Sequence, residues 1–302
     1  MSSDRVLKVL CLHGHPGNSE AMQMFVRHFQ DRGIDAIAPD LRGYGNCKAI
    51  LPFTMLDHIQ DLWDLLLCDH QSEYLILGWS LGGILAIELA LRALSVGSAY
   101  ESPNQDKPKI AGLILIATAA KPRSSLPKIA WWEYSNLLMA VGLHCVTSKI
   151  FQIFFKDLSN SSLHPFFFNF LMRLRYLPMN LFGKRSLIGY LIQQHSITAY
   201  DRISTMGARA YLQTSRYAQA ALNQALRQGY DRTGDLKQIQ VPCLVIAGEQ
   251  DRHITAAATA ETADLLPNCE FICYPHTAHL LPWEIGDRLL SDIEAWCDRH
   301  LY

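Results

Sequence analysis

Several absences narrow the field first. No Cys-x-x-Cys spacing occurs among the eight cysteines, at 11, 47, 68, 145, 243, 269, 273 and 297. No thioredoxin-like Cys-x-x-Cys redox pair is therefore offered. Cys11, Cys243 and Cys273 fall in apolar, strand-like runs. The set reads as reduced, mostly buried thiols of a cytoplasmic protein, not as a disulfide framework. Met1 to Lys8 holds no long apolar stretch ahead of a small-residue cleavage site, so no secretory signal is expected. Net charge is close to absent: 27 Lys and Arg balance 28 Asp and Glu. Nothing global therefore points to a nucleic-acid partner. Internal repeats and low-complexity tracts are also missing, which removes solenoid and linker-like architectures.

Acidic residues are scarce in one interval. Lys121–Tyr230 carries 13 Lys and Arg but 3 Asp and Glu, a local charge of +10, and the remainder of the chain is then −11. The same interval lacks a clear strand. It is apolar and aromatic, with Trp131-Trp132, Phe151, Phe154-Phe155, Phe166-Phe167-Phe168 and Phe170. Helix-like patches break at Pro165, Pro178 and Gly183. A membrane span over Leu137–Phe155 is the rival reading, but His144, Lys149 and Gln152 interrupt it. The cations have two readings. They form a solvated face that pairs with an acidic core, or a surface that attracts anionic lipid, an anionic substrate or an acidic carrier protein.

Outside that interval, strands and helices alternate. Val6–Leu12, Ile34–Ala38, Tyr74–Leu77, Ile110–Ala117, Cys243–Ala247 and Phe271–Tyr274 read as strands. Ser19–Gln30, stopped by Gly33, then Met55–Cys68, Ile84–Leu94, Thr255–Leu266 and Ile285–Cys297 read as helices, and Ser98–Lys109 as a polar loop. Such alternation predicts an α/β fold with a mostly parallel central sheet and helices on both faces. At 302 residues the chain can bury a large core. Residues 1–120 and 231–302 are expected to form it, with 121–230 inserted between two core strands.

Gly78-Trp79-Ser80-Leu81-Gly82 follows a strand-like run and precedes a helix-like one. Gly78 and Gly82 allow a turn tight enough to lift the Ser80 hydroxyl out of the fold. The plain alternative is a tight turn without chemistry. The strand–turn–helix context favours a nucleophile. A serine hydroxyl needs a base, and the base needs an orienting partner. Histidine suits the base role because its pKa lies near neutrality. His276 and His279 compete for it. Asp251 and Glu249 compete as the acid, with a turn or helix cap as the plain role of Asp251. His13-x-His15 could in principle ligate a metal, but Pro16-Gly17-Asn18 follows instead of further ligands, so no metal is expected.

These segments together resemble the α/β-hydrolase superfamily, over nearly the whole chain. His13-Gly14-His15-Pro16-Gly17 is similar to its His-Gly-x-Pro loop. Asp40-Leu41-Arg42-Gly43-Tyr44-Gly45 is similar to its Asp-x-Arg-Gly-x-Gly segment. Gly78–Gly83 resembles its nucleophile elbow. Gly248-Glu249-Gln250-Asp251 resembles its acid turn, and Ala278-His279-Leu280, with Glu284 nearby, its terminal histidine loop. The resemblance implies Ser80 as nucleophile, Asp251 as acid and His279 as base. It implies an oxyanion hole from the backbone N–H groups of Leu81 and His15, and a cap or lid over 121–230. Asp40 and Arg42 would fix a turn. A serine at the elbow disfavours relatives that use aspartate there. The implied activity is hydrolysis of a small-molecule or lipid-like carboxylic ester without a cofactor, and the Phe, Trp and Leu content of 121–230 suggests a hydrophobic pocket for its acyl or alcohol group. A thioesterase or C–C bond hydrolase would share the same oxyanion chemistry. A ligand receptor with a vestigial site is the reading from another class.

Overall fold

The computed structural model describes residues 6–69, 71–94, 107–155 and 165–302. The chain opens with β1 (Val6–Leu12), a 3-10 turn running into α1 (Gln23–Gln30), β2 (Asp35–Ile37), α2 (Met55–Leu67), β3 (Ser72–Trp79), α3 (Leu81–Leu94) and β4 (Lys109–Ile116). A helical stretch follows: α4 (Trp131–Phe155), α5 (Pro165–Phe182), α6 (Ile188–Leu191), α7 (Ile197–Arg202), α8 (Ala208–Gln213) and α9 (Arg216–Arg227). The chain then returns through β5 (Cys243–Gly248), α10 (Ala256–Leu265), β6 (Cys269–Tyr274), α11 (Leu281–Glu284) and α12 (Gly286–His300).

The strands form one parallel sheet in the order β2-β1-β3-β4-β5-β6. Residues alternate between its two faces, and both faces are covered. Leu75, Leu77, Ile114 and Ile116 pack with Phe25, Phe29 and Trp296 on one side. Leu10, Ile76, Leu113 and Leu115 pack with Trp63, Leu66 and Leu85 on the other. Burial on both faces explains why these strands read as continuous apolar runs. The direction of winding reverses at β1 and β3. In an open parallel sheet the loops at the carboxyl ends of two such strands diverge and leave a crevice. Ser80 and the 13–17 loop sit there.

Glu88 on α3 anchors the returning chain. Arg232 donates from Nε and Nη2 to its two carboxylate oxygens at 2.7 and 2.9 Å. Among the described residues, no helix is long and apolar enough to cross a membrane.

Two local expectations change. Pro178 lies inside α5 instead of ending it, and Pro165 opens that helix. A proline forfeits one backbone hydrogen bond, which a helix held by its neighbours can absorb. Gly183 begins a 3-10 turn directly after α5. The thiols are less buried than expected: Cys11, Cys243 and Cys297 are buried, while Cys47, Cys68, Cys145 and Cys273 are exposed. Cys273 lies on β6, the edge strand, where alternate side chains have no covering layer. Residues 98–106 of the expected polar loop lie outside the described residues.

His58 on α2 is buried between Phe53 and Tyr44, with ring centroids 4.9 and 5.9 Å away. Neither ring nitrogen has a hydrogen-bond partner among the described residues. Burial lowers its pKa to about 4. The unfolded chain takes up this proton near pH 6.5, and the folded protein only near pH 4. The neutral ring therefore supports the fold fully above pH 6.5, and that support is lost as pH falls from 6.5 toward 4. We predict that His58→Leu loses about 2 kcal/mol less stability than wild type between pH 8 and pH 5. Urea midpoints at both pH values measure this. Parallel losses in the two proteins would contradict a neutral buried His58.

Candidate active site

β3 ends at Trp79 and α3 begins at Leu81, so Ser80 alone makes the turn. Its φ of 54° lies in the left-handed region, a conformation that costs a non-glycine residue about 1–3 kcal/mol. The surroundings hold it there. Ser80 donates its N–H to the Ile116 carbonyl at 2.8 Å. Its own carbonyl accepts from the Thr118 hydroxyl at 2.8 Å and the Gly83 N–H at 2.9 Å. A Cβ on Gly78 would sit 2.3 Å from the Gly82 carbonyl oxygen, and one on Gly82 would sit 2.1 Å from that of Leu12. Glycine at both positions lets β1, β3 and α3 approach this closely.

Two loops from the far side of the sheet complete the constellation. His279, in the loop after β6, places Nε2 3.1 Å from Ser80 Oγ. Its Nδ1 lies 2.7 Å from Asp251 Oδ2. With Nδ1–H donated to the carboxylate, the Nε2 lone pair accepts the Ser80 O–H. Asp251, after β5, uses its other oxygen to accept the N–H groups of His253 at 2.7 Å and Ile254 at 3.0 Å. All three side chains are buried. Trp79 donates its indole N–H to the His279 carbonyl at 3.2 Å and so ties the histidine loop to the strand that carries Ser80.

The competing residues lie elsewhere. His276 is exposed, and its N–H donates to Glu249 Oε2 at 3.4 Å. Asp40 and Arg42 hold turns. Asp40 accepts the N–H groups of Ser19 and Asn46, and Arg42 forms a forked pair with Asp61.

Leu81 is the first residue of α3, where backbone N–H groups lack intrahelical acceptors and favour an oxyanion. Gly14 brings the 13–17 loop against Ser80: a Cβ on it would lie 3.1 Å from that of Ser80. His13 and His15 spend their ring nitrogens on this loop. His13 Nε2 accepts the Leu41 N–H at 3.2 Å, and Nδ1–H donates to the Gly14 carbonyl at 2.8 Å. Burial lowers the His13 pKa to about 4, so the ring is neutral. His15 Nε2–H donates to Gln219 Oε1 on α9 at 2.7 Å, and Nδ1 accepts the Tyr44 hydroxyl at 2.8 Å. No ring nitrogen of the pair is left for a metal. No group of three His, Cys, Asp or Glu side chains among the described residues is arranged to hold one.

Two further residues, His253 and Glu284, stand beside this constellation. The His253 ring stands edge-on to His279 with centroids 4.6 Å apart. Burial, followed by the nearby His279, lowers its pKa to about 3, so it adds bulk without charge. Glu284 accepts the Ala278 N–H at 2.8 Å with one oxygen, and those of Gln193 and Gln194 at 2.6 and 2.7 Å with the other. Leu280 donates its N–H to the Leu191 carbonyl at 3.0 Å. The histidine loop is thus stitched to the stretch between α6 and α7. Two clefts at the amino end of the sheet, one beside Lys109 and Val241 and one beside Cys243 and Trp296, do not include Ser80.

A sequence model of the alpha/beta hydrolase family matches residues 9–290. The chain belongs to the alpha/beta hydrolase family. It is 32% identical over 105 residues to the multifunctional-autoprocessing repeats-in-toxin of Vibrio cholerae, a match covering 33% of this chain and 2% of the toxin. It is also similar to the structure of a thermophilic esterase from Thermogutta terrifontis, at 20% identity and a TM-score of 0.59, covering 98% of this chain and 91% of the esterase. For a putative lipase from Acinetobacter baumannii the figures are 18% identity and a TM-score of 0.62, covering 99% of this chain and 85% of the lipase. At these identities the two structures establish the shared fold.

The Glu284 bonds generate a prediction. Glu284→Gln replaces one accepting oxygen with an NH2 that cannot accept a backbone N–H, which loosens the loop carrying His279. We expect hydrolytic kcat to fall about ten- to hundredfold with KM little changed. An unchanged kcat would show that the loop holds its position without the carboxylate.

Proposed function

We propose that this chain is a serine hydrolase that cleaves a carboxylic ester through an acyl-enzyme, with residues 121–230 acting as its cap. One observation carries the reading: the continuous relay from Ser80 Oγ to His279 Nε2 at 3.1 Å and from His279 Nδ1 to Asp251 Oδ2 at 2.7 Å. Membership of a hydrolase family supports it.

In this reading Ser80 attacks the ester carbonyl as its proton passes to His279 Nε2. Asp251 holds the imidazole in the tautomer that leaves Nε2 free to accept, and stabilises the imidazolium that forms. The backbone N–H groups of Leu81 and His15 receive the negative charge that develops on the carbonyl oxygen. His279 then protonates the departing alcohol. Water, deprotonated by His279, releases the acid and restores Ser80. The Gln219 and Tyr44 bonds to the His15 ring serve to hold the oxyanion loop. No step needs a cofactor. The apolar and aromatic content of residues 121–230 favours a substrate with a hydrophobic acyl or alcohol group.

The test is a p-nitrophenyl ester series from acetate to palmitate. Wild type should turn over with a chain-length optimum. Ser80→Ala should lose activity by about 10^4-fold or more. Asp251→Asn should lose about 10^3- to 10^4-fold, while Glu249→Gln stays near wild type. No turnover by wild type on any ester would overturn the ester assignment. Equal losses in Asp251→Asn and Glu249→Gln would overturn the acid assignment.

A further inference from the structure

The helix α4 turns much of its apolar surface outward, although Leu137 and Val141 pack half-buried against the core. Its buried side includes Glu133, Ala140 and His144, with Thr147 and Ser148 half-buried beside them. Its solvent side carries Trp131, Trp132, Leu138, Leu143, Val146 and Ile150, and Trp131 and Leu138 are 82% and 75% exposed. A helix on the surface of a water-soluble domain ordinarily shows the reverse pattern. The polar inner side is satisfied within the protein. Glu133 accepts the Ala130 N–H at 2.7 Å. His144 lies 3.2 Å from Asp201, whose other oxygen accepts the Tyr176 hydroxyl at 2.7 Å. The neighbouring helix α5 buries Tyr176 and Met179 but also leaves Leu174, Leu177 and Leu181 exposed along one stripe.

Among the described residues, the exposed charges on these helices have one sign. Lys149, Arg173, Lys184 and Arg185 are exposed on α4, α5 and the turn that follows. The sole acid in α4 and α5 is Glu133, and it is buried. Lys121, Arg123 and Arg209 pair with Asp231, Glu261 and Glu20 of the core, but the overall imbalance persists, with +10 on residues 121–230 and −11 on the rest of the chain. Such a molecule orients its helical stretch toward a negative surface and its sheet away from it.

We propose that the outer faces of α4 and α5 dock in the interfacial layer of an anionic lipid bilayer. The apolar residues enter the boundary between headgroups and acyl chains, the tryptophans at the start of α4 sit at headgroup depth, and the cations meet anionic headgroups. The helices lie on the membrane and do not cross it, in keeping with the absence of a spanning helix among the described residues. A second copy of the chain is a poorer occupant. In a two-fold contact the same cations would approach one another across the interface.

Flotation with vesicles tests this and does not depend on the proposed reaction. Wild type should float with phosphatidylcholine–phosphatidylglycerol vesicles, less with phosphatidylcholine alone, and less as salt rises. Leu138→Ser/Val146→Ser should lower partitioning about tenfold or more. Lys184→Gln/Arg185→Gln should lower it about fivefold per cation removed. Circular dichroism confirms that each variant is folded, and the cation variant stands as an independent test if the apolar one is not. Absence of flotation would overturn the proposal, as would equal flotation of wild type and both variants. So would a wild-type dimer in sedimentation that Leu138→Ser/Val146→Ser converts to monomer, because a second copy would then cover the face.

Discussion

The chain must leave β3 and enter α3 within one residue, and most of the site follows from that constraint. Ser80 accepts a left-handed backbone, with φ of 54°. The absence of side chains at Gly78 and Gly82 gives the space, since a Cβ at either would lie within 2.5 Å of a backbone oxygen. Three hydrogen bonds on its backbone, with the Ile116 carbonyl, the Thr118 hydroxyl and the Gly83 N–H, offset the conformational cost. The hydroxyl is then presented at the carboxyl edge of the sheet, and the first N–H groups of α3 open beside it. Were this turn to relax, Oγ would move away from His279 and Leu81 would no longer face the same point.

Long-range stitches set the rest of the geometry. His279 reaches Ser80 because the loop after β6 is held by Trp79 from below and by Glu284 from the side. The helical stretch between β4 and β5 takes part in both halves of the site. Gln219 holds His15, and Ser215 donates its N–H to the Gly43 carbonyl at 2.8 Å. Glu284 and Leu280 bind the backbone at 191–194. That stretch therefore braces both loops beside Ser80. Its displacement would disturb the histidine loop and the 13–17 loop together.

The parallel sheet and the position of Ser80 were legible because both rest on local pattern. Strands buried on both faces read as apolar runs, and a glycine-flanked serine between strand and helix reads as a sharp turn. Asp251 and His279 were legible through the order of five short segments, which resemble those of a known family. Gln219, Tyr44 and Trp79 were not, because their roles arise from contacts between distant segments that leave no local periodicity. Pro178 misled as a helix end because propensity ignores the packing that carries a helix past a lost hydrogen bond. Cys273 misled because an apolar strand run does not say whether the strand is central or at the edge. The exposed apolar face of α4 was visible only as aromatic and basic content. Burial was needed to show which side the tryptophans and leucines take.

The central claim is that Ser80 is activated by His279 held on Asp251. A fluorophosphonate probe, with its site of attachment mapped by peptide mass spectrometry, tests it most directly. The account predicts a single adduct on Ser80 in the wild type and labelling at least about 10^3-fold slower in His279→Gln. An adduct on another residue, or Ser80 labelling at an unchanged rate in His279→Gln, would contradict it.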